Sequence, residues 1–385
     1  MSVSIVTVGN LGEKENLKTM EVLPAIDTFA KEGELKQVIC QINKNFYFPN
    51  THSAIPTPIR YFVRALEKYL HLPLEKVRLK LFDYFAALKL QKADVTFLHP
   101  LRFGRVGRKA KKNGSIVIGV ATTAHPLFDE EVYRREHEKF GVPFTEEDAR
   151  SFRKRVSVVN NFDYLVTFTD FTKSTFIEQG FPAEKIFVAS MDIPIPQVIE
   201  RVHTDKFKVV YVAYTTPRKG LHYLLEAWDS LDLPNSELVL VGKFLSDVPK
   251  KMMEYYDSTI SRHPNITLVG GTQDPWHYYK DASVFVHPAL SECFGKVIAE
   301  AMASKVPVIV TENAPCIVED GKTGFIVPIR DSKAIAEKIK YLYNNRDVAE
   351  RMGHEARIAV ETKQPFGKAV LGFYKEILKR EARAR

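Results

Sequence analysis

Short β-branched apolar runs alternate along this chain with segments whose apolar residues recur every three or four positions. The runs SVSIVTVG (2–9), QVICQIN (37–43), VTFLHP (95–100), SIVIGVA (115–121) and DYLVTFT (163–169) predict strands in the first half. KVVYVAY (208–214), ELVLVG (237–242), NITLVGG (265–271), ASVFVHP (282–288) and VPVIVTE (306–312) predict strands in the second. Between them, Leu17 to Lys31, Thr172 to Gly180 and Gly220 to Asp229 carry helical spacing. The strands are apolar nearly throughout, as strands covered on both faces are, so parallel sheets flanked by helices are expected.

The pattern restarts once. MDIPIPQVIERV (191–202) has two prolines and no period and reads as a linker. The expected division is 1–195, 203–362 and a last helix, 363–385. Two doubly wound units in tandem imply a cleft, with ligands at the carboxyl ends of strands.

Composition narrows the class. Of 385 residues, 45% are apolar and 26% charged, the balance of a soluble globular protein. No apolar run reaches membrane-spanning length, and the N-terminus reads as a strand rather than a leader, so a cytoplasmic protein is expected. Three scattered cysteines (Cys40, Cys293, Cys316) suit free thiols in a reducing compartment and argue against a zinc site. The formal charge of +8 favours an anionic partner. Two stretches concentrate it: 60–92, two aromatic-rich helices broken at Pro73, and the basic run RFGRVGRKAKK (102–112). They read either as solvated amphipathic faces or as a surface for peripheral contact with anionic membrane or a phosphorylated acceptor.

The sharpest chemistry lies in SECFGKVIAEAMA (291–303), where Glu292 and Glu300 flank a strand-loop-helix junction. Gly295 lets backbone approach a ligand, and the first amides of the helix, Phe294 to Val297, suit a phosphate or diphosphate. Carboxylates beside a phosphate site repel the phosphate, so hydroxyl recognition is the better explanation: vicinal sugar hydroxyls donate to a carboxylate. The cation expected beside the phosphate is supplied by TTPRKG (215–220), where Lys219, with Arg218 next to it, precedes a helix. Taken alone, that lysine equally suits a simple basic loop cap.

These segments resemble the E-(seven residues)-E signature of retaining glycosyltransferases of the GT-B fold, glycosyltransferase family four (group 1). The resemblance spans about 208–345 through PRKG, VGGTQDPWHYYKDASVFVHPALSE and PCIVEDGKTGFIVP. It implies two Rossmann-like α/β domains facing a central cleft, a nucleotide-sugar donor in the second and a glycan or lipid-linked acceptor in the first. It implies that Glu292 reads the donor hexose and Glu300 the ribose. Cys293, Phe294, Gly295 and Lys296 would hold hexose and phosphate, Lys219 the diphosphate, and Gly271 to Gln273, with Thr272, the base. His125, otherwise an ordinary strand-end histidine, matches one that approaches the donor hexose. Gly9 and Gly12 match the loop that faces acceptor or phosphate. The last helix matches the segment that crosses back to the first domain. One departure stands out: the family's Gly-Arg before the lysine is Ala213-Tyr214 here, with Arg218 as the candidate replacement.

The chain has no D-x-D and no histidine cluster at metal-binding spacing, so protein cations are expected to replace magnesium, with no cofactor. The expected activity is a retaining hexosyl transfer from a UDP- or GDP-hexose by a front-face route. Two other readings remain: a catalytically silent sugar-nucleotide-binding subunit, suggested by Tyr214, and a nucleic-acid-binding protein, suggested by charge but lacking a binding motif.

Overall fold

A computed structural model describes residues 2–8, 10–11, 22–43, 48, 50–72, 74–193, 200–244, 247–272 and 274–384. Its first sheet contains β1 (Val3–Thr7), β2 (Leu35–Cys40), β3 (Thr51–Ser53), β4 (Val95–His99), β5 (Ile116–Val120), β6 (Tyr164–Thr167) and β7 (Ile186–Val188). The strand order is β3-β2-β1-β4-β5-β6-β7 and every pairing is parallel. Ile5 on β1 stands between Val38 and Phe97, and all of β1 is buried, as a strand covered on both faces must be.

The second sheet contains β8 (Phe207–Val212), β9 (Ser236–Val241), β10 (Ile266–Gly270), β11 (Val284–His287), β12 (Val308–Thr311) and β13 (Gly324–Val327). Its order is β10-β9-β8-β11-β12-β13, again all parallel. The direction of winding reverses between β8 and β11. The loops leaving those two strands therefore part to opposite faces and flank a crevice at their carboxyl ends.

The helices are α1 (Leu23–Lys31), α2 (Thr57–Tyr69), α3 (Glu75–Lys89), α4 (Gly104–Lys112), α5 (Pro126–Lys139), α6 (Glu146–Val159), α7 (Asp170–Ile177), α8 (Leu221–Asp229), α9 (Lys250–Arg262), α10 (Trp276–Tyr279), α11 (Lys296–Ala303), α12 (Ser332–Asn344), α13 (Arg346–Thr362) and α14 (Phe366–Ala384). Helix α7 begins earlier than its apolar period suggests because the Thr169 hydroxyl accepts the Thr172 amide at 3.2 Å, an N-cap. The helix expected over 17–31 is present as α1, while 17–21 lie outside the described residues, as do Pro73 and 194–199 of the expected linker.

Two compact units result: 1–122 with 153–192 and 364–385, and 123–152 with 193–363. In the first, α14 joins through Tyr374, whose hydroxyl donates to Glu34 at 2.6 Å, and through Phe373, stacked on Phe187 at 4.6 Å. In the second, α5 is anchored by Glu136, 1% exposed. Its carboxylate accepts from Arg330 Nε at 2.9 Å and the Tyr223 hydroxyl at 3.1 Å, and meets His222 Nε2 at 2.7 Å.

Candidate active site

The site grows from the two loops at the reversal point of the second sheet. After β8 the chain passes buried Ala213 and exposed Tyr214, then tightens into a 3-10 turn at Pro217–Lys219. Gly220 follows with φ +65°, and a Cβ there would lie 2.0 Å from the Pro288 carbonyl oxygen. Only glycine meets both demands, and it lets the two loops touch backbone to backbone. The Leu290 amide then donates to the Arg218 carbonyl at 2.7 Å, and Arg218 Nη1 donates to the Ser291 carbonyl at 2.6 Å. In the second loop the Glu292 amide donates to Asn313 O at 3.0 Å, and Asn313 Nδ2 donates to Leu290 O at 2.9 Å. Gly295, φ +78°, caps α11, and a Cβ there would lie 3.3 Å from Glu292 Cγ. The glutamate stem therefore runs against the start of the helix.

Two cations converge on that glutamate. Lys219 Nζ bonds Glu292 Oε2, Arg218 Nη1 lies 3.5 Å from the same oxygen, and His287 Nε2 lies 3.4 Å from it. Burial alone would push the Glu292 carboxyl up; the Lys219 ammonium, the Arg218 guanidinium and His287 hold it well below the usual range. His287 is fully buried at the end of β11, and burial lowers its pKa to about 4, so it stands neutral at pH 7. The result is an anionic carboxylate neutralised by two cations.

Glu300 is a different carboxylate. It lies one helical turn beyond Lys296 on α11, 6% exposed, while Ile298, Ala301 and Met302 on the same helix are wholly buried. Burial raises its pKa to about 7, opposed only in part by Lys296 and a Tyr279 hydrogen bond. Its charge is therefore switchable near neutral pH.

The remaining expected residues fall in separate places. His125 caps α5, its Nδ1 accepting the Leu127 amide at 3.2 Å. Gly271 follows β10 against the Lys243 side chain, and the Thr272 hydroxyl closes a turn by accepting the Asp274 amide at 3.0 Å. Both stand at the carboxyl edge, two strands from β8. Cys293 and Phe294 are buried beside Glu292. Gly9, Gly12 and Gln273 lie outside the described residues.

Three contributors escaped the sequence reading: His287, Ser291 and Asp129. Asp129 comes from α5 and accepts the Ser291 hydroxyl at 2.6 Å, bracing the residue beside Glu292. Asp129, Tyr133 and Glu136 recur at helical spacing, and each makes a polar contact, Tyr133 donating to Asp247 at 2.7 Å. A polar stripe of that period was the available signal. Among the described residues, no group of three His, Cys, Asp or Glu side chains is placed to hold a metal ion, and no helix is long and apolar enough to cross a membrane.

Residues 196–359 match the family model of glycosyl transferases group 1. Over 163 residues (41% of this chain) the sequence is 36% identical to a capsular polysaccharide biosynthesis glycosyltransferase, CapM, of Staphylococcus aureus. That match spans 42% of the relative's length, and one with a putative glycosyltransferase of Bacillus subtilis spans 40% of that protein. A 24% identical stretch covering 70% of this chain and 71% of the relative aligns with the UDP-Gal:alpha-D-GlcNAc-diphosphoundecaprenol alpha-1,3-galactosyltransferase of Escherichia coli. In structure the chain is similar to Anabaena HepE, crystallised with UDP-glucose, at a TM-score of 0.64 and 16% identity, covering 98% of this chain and 100% of that one. That likeness is one of fold, two Rossmann-like parallel-sheet domains as in GT-B proteins.

Proposed function

We propose that this chain, whose residues 196–359 match the family model of glycosyl transferases group 1, is a retaining, metal-independent glycosyltransferase using a UDP- or GDP-hexose. The observation that carries this reading is the convergence of Lys219 and Arg218 on Glu292 at the reversal point of the second sheet. A diphosphate entering there takes over Lys219, and Glu292, released from it, accepts hydrogen bonds from the donor hexose. Arg218, already turned toward Glu292, takes the part of the arginine that Tyr214 displaces.

In the reaction the bond from the anomeric carbon to the diphosphate oxygen breaks, and the electron pair leaves with the nucleoside diphosphate. The acceptor oxygen bonds the same carbon from the same face, and its proton passes to the departing phosphate oxygen. Lys219, Arg218 and the amides at the start of α11 stabilise the charge that develops on the phosphate. His125 approaches the hexose, and Gly271 and Thr272 border the base. The acceptor is a saccharide or lipid-linked hydroxyl, the class in the name of the Escherichia coli relative.

The test is transfer from UDP- and GDP-hexoses in the presence of a chelator, with the anomeric configuration of the product read by proton NMR. The expected product keeps the donor configuration at an undiminished rate. An inverted product, or activity lost with chelation, refutes the mechanism. Absence of both transfer and donor hydrolysis leaves a silent sugar-nucleotide binder as the better reading.

Glu300 gives a separate prediction. Its folded pKa near 7 lies above the ordinary 4.5, so this group's contribution to stability is complete below pH 4.5 and is lost as pH rises through 7. Ribose hydroxyls donate best to the ionised carboxylate, so nucleotide affinity is expected to rise roughly tenfold between about pH 6 and 8. Calorimetry on Glu300→Gln is expected to show a flat profile at weaker affinity. A profile unchanged by the substitution removes Glu300 from the binding site.

A further inference from the structure

Helices α2 and α3 of the first unit expose apolar residues on their outer sides, although α3 also buries Phe82 and Ala86 in the core. On α2 only Val63 is buried, while Tyr61 is 61%, Phe62 64% and Tyr69 71% exposed. Leu70 and Leu72, just beyond it, are 61% and 42% exposed. Pro58, Tyr61, Phe62, Ala65 and Tyr69 fall at helical spacing, so they form one stripe on α2. Helix α3 repeats the arrangement with Val77, Tyr84 and Leu88, exposed at 42%, 45% and 65%. A solvated amphipathic helix confines its apolar residues to the inward side and leaves its outer side polar.

Cations border these stripes. Arg60 lies over the Tyr61 ring at 5.6 Å, Lys68 over Tyr69 at 5.2 Å and Arg105 over Tyr84 at 5.6 Å. Asp83 on α3 accepts the amides of Arg105 and Val106, both at 3.0 Å, which fixes the basic helix α4 beside α3. Residues 57–92 hold eight Lys or Arg against three Asp or Glu, and 102–112 hold six against none. The excess in these two segments is larger than the formal +8 of the entire chain, so the remainder is net acidic. Positive charge is thus gathered where the aromatics are exposed.

We propose that α2, α3 and α4 form a docking surface for an anionic lipid bilayer. The exposed aromatics enter the headgroup boundary, where an amphipathic ring is favoured, while the flanking Lys and Arg meet lipid phosphates. Charge decides between this occupant and a second copy of the chain: two such faces brought together would oppose like-charged cations. Nucleic acid would satisfy the cations but leaves an aliphatic component, Leu70, Leu72, Val77 and Leu88, without a role. The proposal does not depend on the transfer reaction, and its test needs no substrate.

The experiment is co-sedimentation of the full chain with vesicles of phosphatidylcholine alone and of phosphatidylcholine containing one-third phosphatidylglycerol. Binding is expected only to the anionic vesicles, and is expected to be lost in about 0.5 M salt, where screening is nearly complete over a few ångströms. The surface variants Phe62→Ser/Tyr69→Ser and Lys68→Glu/Lys76→Glu/Lys80→Glu are each expected to weaken partitioning by about tenfold or more with unchanged melting temperature. Absence of vesicle binding, equal binding to neutral vesicles, or binding unaffected by both variants overturns the proposal. So does a wild-type dimer that the Phe62 variant dissociates, or salt-dependent DNA binding without vesicle binding.

Discussion

Lys219→Ala is expected to slow hexosyl transfer by about a hundred- to a thousandfold, the usual consequence of removing one preorganised donor from a site of developing negative charge. The free protein should tolerate the change better than the reaction does. Glu292 keeps the Arg218 guanidinium at 3.5 Å, so its charge is not left uncompensated, and the neutral His287 stays 3.4 Å away. Glu292→Ala makes a contrasting prediction. It leaves Lys219 and Arg218 adjacent without their shared anion, which costs stability, yet a nucleoside diphosphate can take the vacated place between them. That variant should therefore lose transfer while keeping affinity for UDP or GDP, and its melting temperature should rise more with nucleotide than the wild type's does. If the two substitutions act alike on nucleotide affinity, Lys219 and Glu292 do not divide phosphate and sugar between them.

Glu136→Ala is the largest expected loss of stability. The carboxylate is 1% exposed and engages Arg330, His222 and Tyr223 at 2.9, 2.7 and 3.1 Å. Removing it strands a half-buried guanidinium and two buried polar rings, a change worth about 3–5 kcal/mol. The melting temperature should fall by on the order of 10 °C. Although burial opposes ionisation, the hydrogen bond and charge of His222, together with Arg330 and Tyr223, hold the Glu136 pKa below its ordinary value. A depressed carboxylate stabilises the fold above pH 4.5, and that contribution disappears as pH falls through the folded pKa. Acid unfolding of Glu136→Gln should accordingly be shallower than that of the wild type. Because α5 also carries Asp129, the variant is expected to loosen the brace on Ser291 and weaken nucleotide binding as a second effect. Wild-type stability in Glu136→Ala would show the network to be energetically neutral.

Much of this architecture was readable because parallel strands covered on both faces leave unbroken apolar runs, and ten of them stand out in the sequence. Thr51–Ser53, Ile186–Val188 and Gly324–Val327 did not, since three or four residues, one run beginning with glycine, are too short for a period. Arg218, Lys219 and Glu292 were singled out in the sequence as separate readers of phosphate and hydroxyl, but their contact with one another was not. The cause of that contact is the meeting of Gly220 with Pro288, a long-range backbone contact that leaves only a glycine in the sequence. Asp129 and Glu136 were missed for a related reason. They sit among other charged residues in FDEEVYRREHEK, and burial, which separates them from exposed Glu131, is set by tertiary packing. Likewise the exposed stripe of α2 has the period of any amphipathic helix. Only the fold tells which side faces water.

The role of Lys219 in holding a nucleoside diphosphate is tested most directly by calorimetric titration of UDP and GDP into the wild type and Lys219→Ala. One of the two nucleotides is expected to bind the wild type, and the substitution is expected to weaken it by about tenfold or more, as loss of a buried charge-assisted contact to phosphate should. Equal affinity in the two proteins, or no binding of either nucleotide to the wild type, would contradict that role.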